Sequence, residues 1–218
     1  GLGIAGCTPG MPLWAVMAPN GLMALITTLC VYSHQRKLVL MRLLAIVLLA
    51  ILTLVGYPIE SAEDVVRALK DRIDYFAACG CLCADHGMDY CMYAQPDTVA
   101  ANRAFQRAMI GEKPEKADVD AYKTLVTVAC AKAYTDLDWV MQIHFGCLRD
   151  NNKPQFRTLG PDTGFDAVNS QSGVENLSPL LNAFAENNGL PKMILYSLSP
   201  ADNTAIITIM QCFQGSGV

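Results

Sequence analysis

The sequence predicts an α/β fold in which parallel strands carry helices on their outer side. Short apolar runs typical of strands alternate three times with longer segments in which apolar residues recur at helical spacing. Such alternation favours parallel strands, because consecutive strands of one direction need a long crossover between them. The glycine fingerprints of Rossmann and P-loop proteins are absent from the sequence, which argues against a nucleotide site of either type.

The first helix–strand unit has clear boundaries in the sequence. A helix begins at Ser61, where Asp64 gives a start that resembles a capping box. Gly80 is placed to end this helix, since glycine readily adopts the left-handed backbone of a helix terminus. A short buried strand over residues 81–84 is expected next, and it ends at the polar segment 85–87.

The rest of the chain repeats the pattern twice. The predicted helices cover residues 96–110 (with Val99, Ala100, Ala104, Phe105 and Met109 on the apolar face), 117–134 (with Ala121, Leu125, Val128 and Ala129), 177–185 and 201–212. The predicted strands cover 139–144 and 192–198. A polar loop fills residues 149–173, in which Asp162 and Asp166 are interpreted as turn-forming residues. Polar residues at the C-terminal ends of barrel strands are the usual catalytic positions, which makes His86 and His144 the first candidates.

Charge divides the chain into two unlike parts. Residues 1–59 contain three basic side chains and no acidic one, whereas residues 60–218 carry thirteen basic and twenty acidic side chains, a net charge of −7. The second part is typical of a mildly acidic soluble segment. A nucleic-acid surface needs clustered Lys and Arg, so no nucleic-acid partner is expected.

The apolar segment, residues 1–54, allows two interpretations. Residues 11–55 are apolar enough for a two-helix membrane hairpin with Arg36, Lys37 and Arg42 in a cytoplasmic turn, as in a membrane-anchored binding or structural protein. The alternative is translation in a wrong reading frame, because the character of the sequence changes abruptly after this segment without a linker. In that case the segment would not be native protein sequence.

The nine cysteines indicate reduced thiols in a cytoplasmic protein, because their number is odd and no signal peptide is evident. A zinc site is the alternative for the cluster of Cys79, Cys81, Cys83, His86 and Cys91. Its Cys-x-Cys-x-Cys spacing lacks the usual pair separated by two to four residues, and strand alternation would place the histidine on the opposite face. We therefore expect no cysteine zinc site.

Three stretches of the second part contain long, ordered motifs. Asp85-His86 follows a helix and a Gly-Cys turn, and Gln142, His144 and Gly146 form a Gln-x-His-x-Gly motif at a strand end. These motifs resemble the uronate isomerase, or glucuronate isomerase, family of the amidohydrolase superfamily. The matching stretches are residues 69–89, 139–152 with 159–166, and 190–203 with 213–215. The resemblance is specific because the motifs are long and correctly spaced, and it covers the middle-to-late portion of a longer family protein.

The resemblance implies a fold and a reaction. The fold would be an incomplete (β/α)8 TIM-type barrel over residues 55–218, with parallel strands and outer helices, preceded by the apolar segment. The reaction would be an aldose–ketose isomerisation of D-glucuronate to D-fructuronate and of D-galacturonate to D-tagaturonate, which is an intramolecular oxidoreductase activity. In full-length members a divalent metal, commonly zinc, would orient or polarise the sugar oxygens. The resemblance is also compatible with homo-oligomers.

Four residues form the candidate site. His144 matches the histidine of the family motif and is the expected catalytic residue. Arg149 can bind the carboxylate of a uronate with two parallel hydrogen bonds, the alternative being an exposed loop arginine or a structural salt bridge. Asp85 and His86 match the Asp-His pair of the family and are expected to bind substrate, although strand neighbours face opposite sides. We expect the strands to lie side by side, with both histidines opening toward a shared mouth.

The resemblance also implies what turnover would require. The metal of the family is held by a His-x-His pair and a later Asp, and its substrate arginine lies in a Phe/Trp-Arg-Pro-Asp motif. The histidines here are His34, His86 and His144, so the His-x-His pair does not occur in this sequence. The Phe/Trp-Arg-Pro-Asp motif does not occur in it either. We therefore expect this chain to hold no metal and to be inactive and poorly soluble on its own. A related enzyme of amidohydrolase type that acts on a different acid is the remaining alternative.

Overall fold

A computed structural model describes residues 56–187 and 189–215 of the chain. The elements follow in the order α1 (Ala62–Ala78), β1 (Cys83–Gly87), α2 (Thr98–Met109), α3 (Lys116–Asp136), β2 (Val140–Phe145), β3 (Cys147–Leu148), α4 (Lys153–Leu159), β4 (Ala167–Val168), α5 (Leu177–Glu186), β5 (Lys192–Ser197) and α6 (Asn203–Cys212). Short 3-10 turns at Val174–Asn176 and Pro200–Asp202 precede α5 and α6.

The sheet has β2 at its centre, with β1 on one side and β5 on the other, and all three strands are parallel. Its register places His144 beside Gly87 of β1 and beside Tyr196 of β5. Strands β3 and β4 form a separate antiparallel pair immediately after β2. The predicted α/β architecture with adjacent parallel strands is thus confirmed.

Local sequence determines both ends of α1. The Ser61 hydroxyl accepts a hydrogen bond from the Asp64 backbone N–H at 3.1 Å, and the Asp64 carboxylate accepts one from the Glu60 N–H at 3.0 Å. At the other end Gly80 has a φ of +88°, and its own N–H and the next one donate to carbonyls of the last helical turn. This arrangement is a Schellman motif, so both predicted helix ends are confirmed.

One face of the sheet packs against the helices and forms the core. The alternate β2 residues Met141, Ile143 and Phe145 are fully buried, because successive side chains of a strand point to opposite faces. Tyr134 of α3 is buried as well, and its ring stacks on Trp139 with 5.6 Å between centroids. Apolar residues of α1, α5 and α6 complete this core.

The prediction of a buried first strand is wrong. Strand β1 begins at Cys83 rather than at residue 81, its side chains are exposed or half-buried, and Leu82 just before it is 69% exposed. The physical reason is that β1 has a single neighbour among the described residues, so it lies at an edge of the sheet. Asp85 and His86 therefore lie inside the strand and not beyond its end.

Two predicted helix faces also differ from the observed ones. On the predicted apolar face of α2, Ala100, Ala104 and Phe105 are buried as expected, whereas Val99 is 70% exposed. The buried stripe of α3 includes Thr124 and Thr127, whereas Leu125 and Val128 are half-buried. Small side chains let α3 approach its neighbours closely, and a hydropathy pattern that favours large residues does not detect this.

The apolar segment, residues 1–54, lies outside the described residues, as does the membrane hairpin predicted for residues 11–55. The hairpin and the reading-frame hypothesis both stay predictions. Among the described helices, we find none that combines the length and the apolar character needed to cross a bilayer.

Candidate active site

The sheet face opposite the helices carries the candidate site. Asp85 of β1, Gln142 and His144 of β2 and Tyr196 of β5 contact one another on this face. The side chains of His144 and Asp85 are 49% and 37% exposed, so both are accessible from solvent. The structure thus brings together two of the four predicted site residues and adds two others.

His144 is oriented by a hydrogen bond to Asp85. The distance between His144 Nδ1 and Asp85 Oδ1 is 2.6 Å, and the bond runs diagonally because the register partner of Asp85 is Gln142. A carboxylate accepts this bond, so Nδ1 carries a proton, and in the neutral imidazole the lone pair is on Nε2. The imidazole is therefore arranged to accept a proton at Nε2, which is what a general base requires.

Tyr196 packs flat against His144. The ring centroids are 4.1 Å apart and the ring planes differ by 5°, and the Tyr196 hydroxyl donates to Gln142 Oε1 at 3.0 Å. Sequence reasoning did not identify Tyr196. The available signal was the two-residue alternation of β5, which places this aromatic ring on the outward face of a strand that otherwise reads as simply apolar.

His86 lies on the opposite side of β1 from Asp85. Its Nε2 is 3.1 Å from the hydroxyl oxygen of buried Tyr134, and the two rings are 5.7 Å apart. Burial lowers the pKa of His86 to about 4, although the adjacent Asp85 acts in the opposite direction. The expectation that both histidines open toward one mouth is wrong, because neighbouring strand residues must face opposite sides.

Arg149 is held by two loop carboxylates. Its Nη1 donates to Asp162 Oδ1 at 2.8 Å and to Asp166 Oδ2 at 3.0 Å, while Asp166 Oδ1 accepts a bond from the Asp150 N–H. The loop also contains α4 and β4, which its polar composition did not predict. Asp162 has a φ of +56°, consistent with its predicted turn, and both aspartates additionally serve as ion-pair partners. Substrate binding by Arg149 stays a prediction.

The loop after β1 is fixed against the site. The Met88 N–H donates to the His144 carbonyl at 2.7 Å, and the Cys91 N–H donates to the Ser172 carbonyl at 2.7 Å. Gly173 adopts a φ of +72°, and a Cβ at this position would lie 2.4 Å from the Cys91 carbonyl oxygen. This close approach needs glycine, and it fastens the loop that borders the C-terminal end of β2.

The described residues do not fit a metal centre. Among them, no group of three or more His, Cys, Asp or Glu side chains is placed to hold an ion. Each of the seven cysteines in the described ranges is a thiol outside any disulfide, and burial raises the pKa of Cys91 to about 12 and that of Cys130 to about 11. These two thiols are therefore protonated core side chains.

Curated relatives match most of the chain. A family profile described as glucuronate isomerase matches residues 48–218. The uronate isomerase of Lachnospira eligens is 38% identical over 161 residues, which are 74% of this chain and 34% of that protein. The uronate isomerase of Pectobacterium atrosepticum is 41% identical over 160 residues, 73% of this chain and 34% of that protein. The chain thus spans about a third of the length of the curated relatives it matches.

Solved structures agree with these matches. The uronate isomerase from Thermotoga maritima aligns with a TM-score of 0.68 at 30% identity, over 75% of this chain and 36% of that chain. The glucuronate isomerase from Caulobacter crescentus aligns with a TM-score of 0.62 at 24% identity, over 72% of this chain and 32% of that chain, which supports the fold alone. Since the profile match spans most of its length, the chain belongs to the glucuronate isomerase family.

Proposed function

We propose that this chain supplies part of the active site of a uronate isomerase. The reactions are the interconversion of D-glucuronate with D-fructuronate and of D-galacturonate with D-tagaturonate. The observation that carries the proposal is the Asp85–His144 pair, in which a hydrogen bond of 2.6 Å engages Nδ1 of the motif histidine and leaves Nε2 on an accessible face. An aldose–ketose isomerase needs such a base beside C2 of the sugar.

The reaction moves one hydrogen from C2 to C1 and one proton from O2 to O1. In our proposal Nε2 of His144 removes the C2 proton, the electron pair of that bond forms a C1–C2 double bond, and the π pair of the C1–O1 double bond moves to O1, which gives an enediolate. Asp85 stabilises the resulting imidazolium, which returns the proton to C1. The proton of O2 passes to the O1 oxyanion, an electron pair of O2 forms the C2–O2 double bond as the C1–C2 pair takes up the returned proton, and the aldose becomes a ketose.

We further propose that β1, β2 and β5 are neighbouring strands of a (β/α)8 barrel. Their parallel register and the position of the helices on one face support this. In such a barrel the face that carries His144 is the inner one. Among the described residues β1 and β5 each pair with β2 alone, so both outer edges can accept a further strand.

Arg149 and His86 take different roles in the proposal. Asp162 and Asp166 both accept hydrogen bonds from Nη1 of Arg149. Its Nε and Nη2 have no hydrogen-bond partner among the described residues, so these two donors can bind the carboxylate of a uronate. A substrate contact of His86 would require its ring to leave Tyr134. We therefore assign His86 a supporting role beneath the strand.

The wider expectations for this family stay proposals. Zinc or another divalent metal is proposed for full-length members only, because the described residues of this chain supply no ligand set. Homo-oligomeric assembly is likewise a proposal for full-length members. A cytoplasmic location is proposed for the chain, supported by the reduced thiols of its described cysteines.

A chimera tests the proposed function. The matching segment of the Lachnospira eligens uronate isomerase is replaced by residues 56–215 of this chain, and D-fructuronate formation from D-glucuronate is measured. We expect activity, and we expect His144→Asn to lower kcat by about 10²- to 10⁴-fold with little change in KM. Asp85→Asn should lower kcat less, whereas Asp74→Asn, which removes an exposed ion-pair carboxylate of α1, should have no effect.

Two results would contradict the proposal. One is a folded chimera that forms no D-fructuronate. The other is a His144→Asn variant of an active chimera that keeps its full kcat.

A further inference from the structure

Tyr196 is the one aromatic side chain in direct stacking contact with His144 among the described residues. The centroid distance of 4.1 Å and the angle of 5° describe two nearly parallel rings in face contact. The register explains this contact, because Tyr196 and His144 are Cα partners in the β2–β5 pairing and their side chains rise from the same sheet face.

Gln142 fixes Tyr196 in turn. The Tyr196 hydroxyl donates to Gln142 Oε1 at 3.0 Å. Gln142 lies two residues before His144 on β2, so both side chains are on the same face of the sheet. Tyr196 of β5 thus contacts two side chains of β2, His144 through its ring and Gln142 through its hydroxyl. The hydrogen bond determines where the phenol ring lies, and the ring then limits the rotation of the imidazole about its χ2 angle.

Asp85 alone does not determine the plane of the imidazole. A single hydrogen bond to Nδ1 fixes the position of one atom, and the ring can still tilt about that bond. Both groups are accessible to solvent, so water can compete for the bond between them. A second, flat contact removes this freedom, and Tyr196 supplies one on the side of β5.

We propose that Tyr196 is a positioning residue, which together with Gln142 holds the His144 ring so that Nδ1 stays bonded to Asp85 and the lone pair of Nε2 stays aimed at the accessible face. The proposal rests on the proposed function only for the use of Nε2 as a base. The geometric part concerns the orientation and the tautomer of the imidazole, and it can be measured without any sugar.

The experiment measures the tautomer ratio of His144 in the purified full chain labelled with 15N in its histidines. The chain has three histidines, so the ring nitrogen signals are few and can be assigned with a His144→Asn variant. We expect the Nδ1–H tautomer to dominate in the native chain. Tyr196→Leu removes the stacking, and the ratio of Nδ1–H to Nε2–H should fall by about fivefold.

A matched variant controls for a general loss of packing. Tyr75 is 39% exposed and Tyr196 is 38% exposed, but Tyr75 lies on α1 away from the sheet face. Tyr75→Leu should leave the His144 tautomer ratio unchanged. An unchanged ratio in Tyr196→Leu overturns the proposal, and so does an equal fall in both leucine variants.

A double substitution keeps the proposal testable if Tyr196→Leu does not fold. Tyr196→Phe keeps the ring and loses the hydroxyl, and Gln142→Leu loses the acceptor of the same hydrogen bond. Each should lower the tautomer ratio by about twofold, and the double variant should lower it no further, because both remove one interaction. Additive effects of the two substitutions overturn the proposed link through Gln142.

The chimera separates the two claims. The expected tautomer changes in the chain, together with D-fructuronate formation by the chimera, support both the positioning role and the proposed function. The expected tautomer changes together with a folded chimera that forms no D-fructuronate count against the proposed function and leave the role of Tyr196 standing.

Discussion

Acidification should destabilise the protein through His86. Burial lowers the pKa of this histidine from an ordinary value of 6.5 to about 4. Between these two values the unfolded chain binds a proton that the folded chain does not bind. The free energy of unfolding should therefore fall as the pH drops from about 6.5 to about 4, and the contribution of His86 should be constant outside this window.

The expected size follows from the two pKa values. Fully expressed, their difference corresponds to roughly 3 kcal/mol of unfolding free energy. Part of the His86 side chain is accessible to solvent, which screens its charge, so we expect about 2 kcal/mol between pH 7 and pH 4. With a urea dependence of about 2 kcal/mol per molar, the unfolding midpoint should fall by about 1 M over this range.

Urea unfolding of the full chain, followed by far-UV circular dichroism at several pH values, measures this effect. His86→Gln is the reference variant, because its amide can still form a hydrogen bond with Tyr134 but does not titrate in this range. The native chain should lose more stability than the variant as the pH falls. Parallel pH profiles of the two proteins would refute the reasoning, since they would show that His86 does not contribute.

Three further predictions concern packing, a helix end and turnover. Gly173→Ala should lower the free energy of unfolding by about 2 kcal/mol or more, because the new Cβ would lie 2.4 Å from the Cys91 carbonyl oxygen. Thermal unfolding measures this, and Gly164→Ala, with a φ of +93° but nothing within 4 Å, controls for backbone strain alone. Ser61→Ala should cost about 1 kcal/mol in the same assay through loss of the α1 cap. The 218-residue chain with added zinc should form no D-fructuronate above background, because its sequence has no His-x-His pair, and measurable turnover would contradict this.

Features that depend on local chemistry could be predicted from the sequence. The cap at Ser61 and the glycine terminus at Gly80 lie where the residue types require them. Helix α2 begins two residues after the predicted start at 96, because the Asp97 side chain caps it by accepting from the Val99 and Ala100 N–H groups. Strand β2 could be predicted because it is a short apolar run, which is typical of a strand. His144 was identified by its motif, and strand alternation then implied correctly that Asp85 and His86 face opposite sides.

Features that depend on distant partners could not be predicted. The inward face of α3 is determined by how closely its neighbours approach, and this favours Thr124 and Thr127 over larger residues. The contact of Tyr196 with His144 results from the strand register, which no local signal specifies. The partners of Arg149 lie 13 and 17 residues along an irregular loop, where composition gives no geometry.

The contacts around His144 join segments that are far apart along the chain. Asp85 and His144 are separated by 59 residues, and Gln142 and Tyr196 by 54. Closing loops of this length is slow compared with helix formation. During refolding the environment of His144 should therefore mature after most of the helical signal has returned. Helix content would thus be a poor measure of functional material, whereas the imidazole signals of His144 would report the completed sheet.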